Sequence, residues 1–477
     1  MLKQQHVPLY DALEQFKGKQ PTSFHVPGHK NGHIFPHEAR EVYQSILQID
    51  MTELTGLDDL HAPTGVIADA EKLAANFFQT EKTFFLVGGS TVGNLAMILA
   101  VCKQGDTVIV QRNCHKSIMN GLELSGAKPV FIAPQYDENV HRFTQPSLSV
   151  LQKALNQYPH AKAVILTYPD YFGKAYDLRQ FIEQIHAFDI PVLVDEAHGV
   201  HFSLGENFPP SALHQGADVV VQSAHKMAPA MTMGSYLHYN SRRISKERIA
   251  HYLQMLQSSS PSYPLLASLD LARYYLATMQ RETMAEVLAS AQEVKHIFAQ
   301  SPYWELITSD DPLKITLHVK AGIVAKEVAN LLEKQQIYPE LVTEKQILLI
   351  HGLAPFKELA NVRKALKTVN DQLKNQRKHD TIDVEYDKTA LIQELQLSYE
   401  VMNRSAVTCI PLSDAAGYIA AEAMIPYPPG IAFILKGERI TKAHIKKIQQ
   451  MKERGIRMQQ RHTNSIYVFA EIEEGEE

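Results

Sequence analysis

The sequence predicts an α/β protein built on a mostly parallel sheet, with a smaller α+β domain and a C-terminal α+β domain after it. Three observations carry that reading. Over the first two-thirds of the 477 residues, strand-like and helix-like segments alternate, the pattern of a parallel sheet with helices on its faces. The strand-like runs, such as "IPVLVDEAHG" (190–199), are continuously apolar rather than alternating, which means burial on both faces. The length exceeds what one hydrophobic core serves, so more than one domain is required.

Taken in order, "KTFFLVGG" (82–89) reads as a strand running into a glycine turn. The helix after it, "GNLAMILAVCKQGD" (93–106), is apolar nearly all round and therefore buried. "DTVIVQRN", "KPVFIAP", "KAVILTYP", "IPVLVDEAHG" and "ADVVVQSAHK" are five more strands, mostly β-branched, with helical stretches such as "DLRQFIEQIHAF" (177–188) between them. After about residue 270 the texture changes. "LKITLHVKA", the helix "IVAKEVANLLEKQQ", "EKQILLIHGL" and a helix near 356–375 describe the smaller domain. "KNQRKHDTIDVEYDK" (374–388) is polar and charged and reads as a linker. The final segment carries "AAEAMIPYPPGIAFILKGERIT" and ends in the acidic tail "EIEEGEE".

Composition narrows the function classes. Apolar content of 45% with 21% charged residues is that of an ordinary soluble globular protein. A net charge of -5 argues against non-specific nucleic-acid binding. Cys102, Cys114 and Cys409 have neither metal-site spacing nor a disulfide framework, which fits a reducing compartment. "MLKQQHVPLYDAL" has no apolar signal core and no apolar run approaches membrane-spanning length, so a cytoplasmic protein without a membrane partner is expected.

Three features carry chemistry. "GGSTVGN" (88–94) puts Gly89, Ser90 and Thr91 at a strand-to-helix turn, where backbone N–H groups and a helix N-terminus attract an anion such as phosphate. It is neither a P-loop nor a dinucleotide fingerprint, and a glycine-rich cap without ligand is its plainer reading. In "VLVDEAHG" (192–199), Asp195 directly follows an apolar strand, where an acid is costly to bury without a partner. A metal ion shared with His198 is one such partner, though no further ligands cluster nearby; a protonated cofactor nitrogen is another. Lys226, in "SAHK" (223–226), ends the next strand 31 residues after Asp195. An anion cradle, a strand-end acid and a strand-end lysine in this order describe a pyridoxal 5'-phosphate site: Lys226 forms the Schiff base and Asp195 keeps the ring nitrogen protonated.

The motifs "FHVPGHKNG" (24–32), "TGLDDLHAPTGVI" (55–67), "RNCHKS" (112–117), "VDEAHGVH" (194–201), "SAHK", "SSPSYPLLASLD" (259–270) and "PYPPGI" (426–431) resemble the bacterial ornithine/lysine/arginine decarboxylases. The resemblance spans nearly the whole chain and points to a short form that begins at the "PLYDAL" arm. It implies the fold type I, aminotransferase-like large domain with a seven-stranded sheet. The implied organisation is an N-terminal arm (1–25), a cofactor-binding large domain (26–290), a small α+β domain (291–375), a linker (376–390) and a C-terminal domain (391–477). It also implies that His115 stacks on the cofactor ring, that Ser90, Thr91, Ser223 and His225 hold the phosphate, and that His198 sits beside the cofactor near the substrate. Ser259, in the "SSSPSY" loop (258–263), would reach the phosphate of a partner subunit, making a homodimer or higher oligomer with shared sites.

The implied reaction is loss of CO₂ from arginine, lysine or ornithine, giving a di- or polyamine. An aminotransferase would need an arginine clamp for the substrate carboxylate, and 301–355 contains no arginine. Another cofactor-dependent chemistry (aminotransferase or aldolase) and a non-catalytic relative stay open as alternatives. Candidate acids for the substrate's distal cation are Glu53, Asp58, Asp59 and Glu438, each of which also reads as a structural acid. The chain departs from the family pattern at Asp170, Met233, Ala432 and Lys436, where Thr, Gln and two prolines are usual, which bears on substrate choice and activity.

Overall fold

The computed structural model describes residues 3–374, 390–426, 430–453, 458–459, 462 and 464–470. Residues 376–389 of the expected linker, Tyr427–Pro429 of "PYPPGI" and the acidic tail from 471 lie outside the described residues. The chain forms two compact units. The first is built from Met1–Val101, Ala163–Pro169 and Asp177–Arg281; the second takes up the remaining stretches.

The first unit is organised by a run of five strands in the order Lys82–Leu86, Ser235–Tyr239, Val219–Gln222, Val192–Asp195 and Val164–Thr167. The last three are mutually parallel and almost wholly buried, as their continuous apolarity requires. Ser235–Tyr239 runs antiparallel to both of its neighbours. It is the strand that the sequence reading omits. Tyr236 and His238 interrupt its apolarity, yet all five residues are buried. The helix Gly89–Val101 lies directly on this sheet: a Cβ at Gly93 would meet Leu86 and Val221 side chains at 2.8 Å. Only glycine permits that approach.

A buried polar chain crosses four of these strands. Glu196, one residue beyond Val192–Asp195, accepts from Ala212 N (2.7 Å), Ser211 Oγ (2.7 Å) and Gln222 Nε2 (2.6 Å). Gln222 Oε1 meets His238 Nε2 at 2.9 Å, and His238 Nδ1 meets Thr83 Oγ1 at 2.9 Å. Burial keeps His238 neutral, its pKa pushed down to about 3. The N-terminal arm is tied in separately. Its helix Pro8–Gly18 is held through Leu9 N, which donates to Asp270 Oδ2 (3.1 Å). Arg273 pairs with Asp270 at 2.5 Å and donates to the carbonyls of Gln4 and His6.

In the second unit, Thr107–Gln111 and Lys128–Ile132 pair in parallel, and Ile392–Glu394 adds an antiparallel edge to the latter. Seven strands of the expected large domain are thus present across the two units, and Ile392–Glu394 is an eighth that the sequence did not suggest. A separate antiparallel sheet follows the order Trp304–Ile307, Lys314–Val319, Gln346–Ile350, Leu341–Val342. It packs with the helices Ala325–Lys334 and Leu359–Lys374 around Trp304, Leu317, Leu332 and Val369. The C-terminal stretch pairs Val407–Pro411 with Ser465–Phe469 over a core of Met424, Ile434, Ile448 and Val468.

Glu196 sets a pH dependence. Burial is the largest influence on it, and although Ala212 N, Gln222 and Ser211 pull the other way, its pKa is pushed up to about 7 from 4.5. A carboxyl raised on folding favours the native state while it is protonated, and that advantage is lost as pH rises from about 4.5 through 7. Glu196→Gln removes the titration. Chemical denaturation should show the variant gaining on the wild type by of order 1 kcal/mol per pH unit between pH 5 and 7, with the difference levelling off by pH 8. Parallel stability curves for the two proteins would show that Glu196 does not titrate in this window.

Candidate active site

The cradle in the first unit starts at Gly89, whose φ of +77° suits a residue without a side chain. Its N–H donates to Met233 O at 2.9 Å. Met233 is itself left-handed (φ +79°) with its side chain half exposed, so the departure from the family pattern leaves the backbone carbonyl in use. Ser90 and exposed Thr91 lie in the first turn of Gly89–Val101, where N–H groups have no partner within the helix. One turn on, buried Asn94 donates from Nδ2 to Asp195 Oδ2 at 3.0 Å.

Asp195 is thereby aimed. It ends its strand with 4% of its surface exposed, Asn94 on one carboxylate oxygen and Ala197 N–H on the other at 3.2 Å. Two of its neighbours in sequence turn back toward the sheet ends. Glu196 joins the polar chain described above, while buried His198 places Nε2 2.9 Å from Lys226 Nζ. A proton must lie between those nitrogens: an ammonium donates to a neutral imidazole, or an imidazole N–H donates to a neutral amine. Lys226 sits in the single turn Ala224–Met227, immediately beyond the neighbouring parallel strand.

Ser223 caps that turn in position only. Its hydroxyl makes no capping bond, is buried, and has no hydrogen-bond partner among the described residues. Buried hydroxyls are normally satisfied, so an orphan beside Lys226 is what a ligand oxygen would complete. His225 meets Gly234 O through Nδ1 at 3.1 Å as well as through its backbone N–H. The loop of Ser259 is exposed between the helices Lys246–Leu256 and Tyr263–Thr278. It is tied to "GLDDLH" by His61 Nε2 on Ser258 O (2.8 Å) and by Tyr263 hydroxyl on Asp58 O (2.6 Å).

His115 belongs to the second unit. It caps the helix Lys116–Ser125, with Nδ1 accepting from Ser117 N at 3.2 Å and lying 2.9 Å from Ser117 Oγ. Its backbone pairs with Ile431, and Lys116 N–H donates to Gly430 O, so the segment after "PYPPG" fixes the cap.

Two of the acids weighed for a substrate cation are committed elsewhere. Asp58 accepts from the N–H groups of Thr64, Gly65, Ile67 and Ala68 at 2.8–3.2 Å, entering the helix Val66–Phe78. Burial would raise its pKa, but these donors outweigh it and the carboxyl is lowered. Glu438 receives Arg112 Nη2 (2.9 Å), Leu435 N (2.8 Å) and Gln393 Nε2 (3.3 Å). Arg112 also donates to Ala432 O and Phe433 O, so "RNCHKS" and the C-terminal segment are clamped together within the second unit. Asp59 accepts from His61 N (2.8 Å), and exposed Glu53 receives the hydroxyl of Thr52. The departures are used too. Asp170 accepts from Arg142 (3.0 Å), Phe172 N and Lys174 N, and Lys436 pairs with Glu123 at 2.5 Å.

Sequence reasoning did not find Asn94, Glu196 or Arg112. The one available signal was placement: an asparagine one turn into an otherwise apolar helix must have a partner.

Comparisons with known proteins follow the same outline. The Orn/Lys/Arg decarboxylase major-domain model matches residues 7–316, and the C-terminal domain model of that family matches 385–458. An uncharacterized protein of Bacillus subtilis, YaaO, is 44% identical over 455 residues, covering 94% of each chain. The arginine decarboxylase of the same organism is 36% identical over 492 residues, covering 99% of each. Among solved structures, lysine decarboxylase A from Pseudomonas aeruginosa superimposes with a TM-score of 0.80 at 20% identity, covering 97% of this chain and 80% of that one. This chain therefore belongs to the Orn/Lys/Arg decarboxylase family.

Proposed function

We propose that this chain is a pyridoxal 5'-phosphate-dependent decarboxylase of a basic amino acid, with arginine the first substrate to test and the corresponding di- or polyamine as product. The observation that carries the reading is the pairing of Lys226 Nζ with His198 Nε2 at 2.9 Å, beside an Asp195 held at both oxygens. The residues fit the cofactor. Ser90, Thr91, Ser223 and His225 would hold its phosphate, with Ser223 supplying a hydroxyl that has no hydrogen-bond partner among the described residues. Gly89 would leave the backbone open to it, His115 would stack on its ring, and Lys226 would carry it on Nζ.

When bound, pyridoxal phosphate supplies an electron sink for the pair of electrons left behind by CO₂. Asp195 keeps that sink effective by holding a proton on the ring nitrogen. Asn94 and Ala197 leave the carboxylate no freedom to turn away. His198 takes or returns the proton of the Lys226 amine, so that a neutral nucleophile is present when the lysine must act. A carboxylate would favour a cationic substrate side chain, and Glu53 and Asp59 are the acids we propose for that task. With three cysteines and no helix among the described residues long and apolar enough to cross a membrane, a cytoplasmic enzyme is the setting we infer.

CO₂ release from arginine, lysine and ornithine, with the amine product identified, tests the proposal. Transamination or aldol cleavage in place of amine formation would move the protein to another chemistry, and no turnover with any cofactor uptake would make it a non-catalytic relative. The holoenzyme should be yellow, and borohydride should bleach it and fix the label on Lys226; label on a different lysine would remove Lys226 from its role. Asp195→Asn should retain the fold and lower turnover by about 10²-fold or more. Near-normal turnover in that variant would leave Asp195 a structural residue.

The family resemblance of the exposed Ser258–Ser260 loop leads us to propose sites shared across a two-fold dimer. Lys226→Ala and a chain with this loop replaced, each inactive, would form mixed dimers holding one intact and one doubly defective site. Random pairing of equal amounts should restore about a quarter of the sites. No recovery despite demonstrated subunit exchange would mean that each chain builds its own site.

A further inference from the structure

We propose that the second unit carries a binding site for a zinc-type divalent transition metal, formed by His141, Glu305 and His318. These residues play no part in the chemistry described above. One ligand atom from each lies within 4.8 Å of the other two. Glu305 and His318 face each other directly across the antiparallel strands Trp304–Ile307 and Lys314–Val319, which puts both side chains on one face of the sheet. His141 arrives from a different part of the chain, the turn between Pro134–Asp137 and Arg142–Pro146. Its backbone is left-handed (φ +53°), a conformation that costs a histidine energy and here delivers its ring onto His318. The two rings stack at 4.6 Å between centroids with planes 29° apart.

One side chain ties the two histidine-bearing segments together. Buried Gln346 sits opposite His318 on the next strand, and its Nε2 meets His318 Nδ1 at 3.3 Å. The same amide donates to Val140 O at 2.6 Å, so one side chain anchors the residue before His141 and the ring of His318 together. Because that amide nitrogen only donates, His318 Nδ1 accepts and the neutral ring carries its proton on Nε2, so an ion takes Nδ1 in the amide's place or Nε2 after that proton is lost. Two imidazoles and one carboxylate form the donor set of open zinc sites, and are a poor set for magnesium or calcium, which require oxygen.

The distances must still contract, since a tetrahedral ion with bonds of about 2.1 Å separates its ligands by roughly 3.4 Å. His141 and Glu305 are exposed, so rotation of their side chains can supply this without moving the sheet. An ion there would staple the Pro134–Pro146 hairpin to the sheet edge.

The test is equilibrium dialysis of the untagged full chain against Zn²⁺ alone, with metal content measured per chain, and Mg²⁺ as the contrasting ion. His141→Ala and His318→Ala should each lower the zinc content by one ion or weaken that ion's binding about tenfold or more. Glu305→Gln, which keeps size and exposure, should weaken it as well. Secondary structure and melting temperature in chelator should match the wild type, and Mg²⁺ should not occupy the site. Unchanged zinc content and affinity in both histidine variants, or equal occupancy by Mg²⁺, would overturn the assignment. The readout requires neither pyridoxal phosphate nor turnover, so it stands or falls apart from the decarboxylase reading.

Discussion

The strands of the first unit are buried on both faces, and this constraint decides where any chemistry can be. Val192–Asp195 and Val219–Gln222 have no solvent-facing side along their length, so a polar group can emerge only where the strand stops. Asp195 and Lys226 emerge there, on neighbouring parallel strands and at the same end of the sheet. That is the end where α/β sheets place ligands.

Such a location must be held rigid, and polar contacts do this where apolar packing ends. Asn94 reaches Asp195 from the helix that the glycine turn begins, so the cradle and the acid are linked through one amide. Behind them, Glu196, Gln222, His238 and Thr83 run as a dry chain of hydrogen bonds across four strands. A half-satisfied chain of this kind would cost more than an apolar core, whereas a complete one fixes register and strand ends. The Glu196 carboxyl, raised by its burial, is the member of this chain whose charge changes near neutral pH.

The second unit shows the same economy in its use of charge. Arg112 spends its guanidinium on Glu438 and two carbonyls of the C-terminal segment, next to the helix cap made by His115. Asp170 and Lys436, two positions where the sequence reading expects a departure from the family pattern, each close an ion pair within this unit, which gives both charges a structural use.

How much was legible in the sequence follows from the range of the forces involved. Apolar continuity and glycine turns are local, so the strands, the buried helix at "GGSTVGN" and the order of cradle, aspartate and lysine could be read directly. The strand Ser235–Tyr239 could not, because the partners that make His238 and Tyr236 acceptable inside a sheet come from 16 residues or more away. Asp58 and Glu438 are weighed as cation-binding acids and turn out to be engaged structurally, Asp58 by backbone amides a few residues along the chain and Glu438 by an arginine 326 positions distant. The gathering of His141, Glu305 and His318 carries no sequence spacing at all, since strand register and a left-handed turn bring them together. Sequence by itself determined which segments must be buried and which residue types stand at their ends. Only the tertiary structure decided which of those polar groups face each other, because hydrogen bonds and ion pairs are made through space and not along the chain.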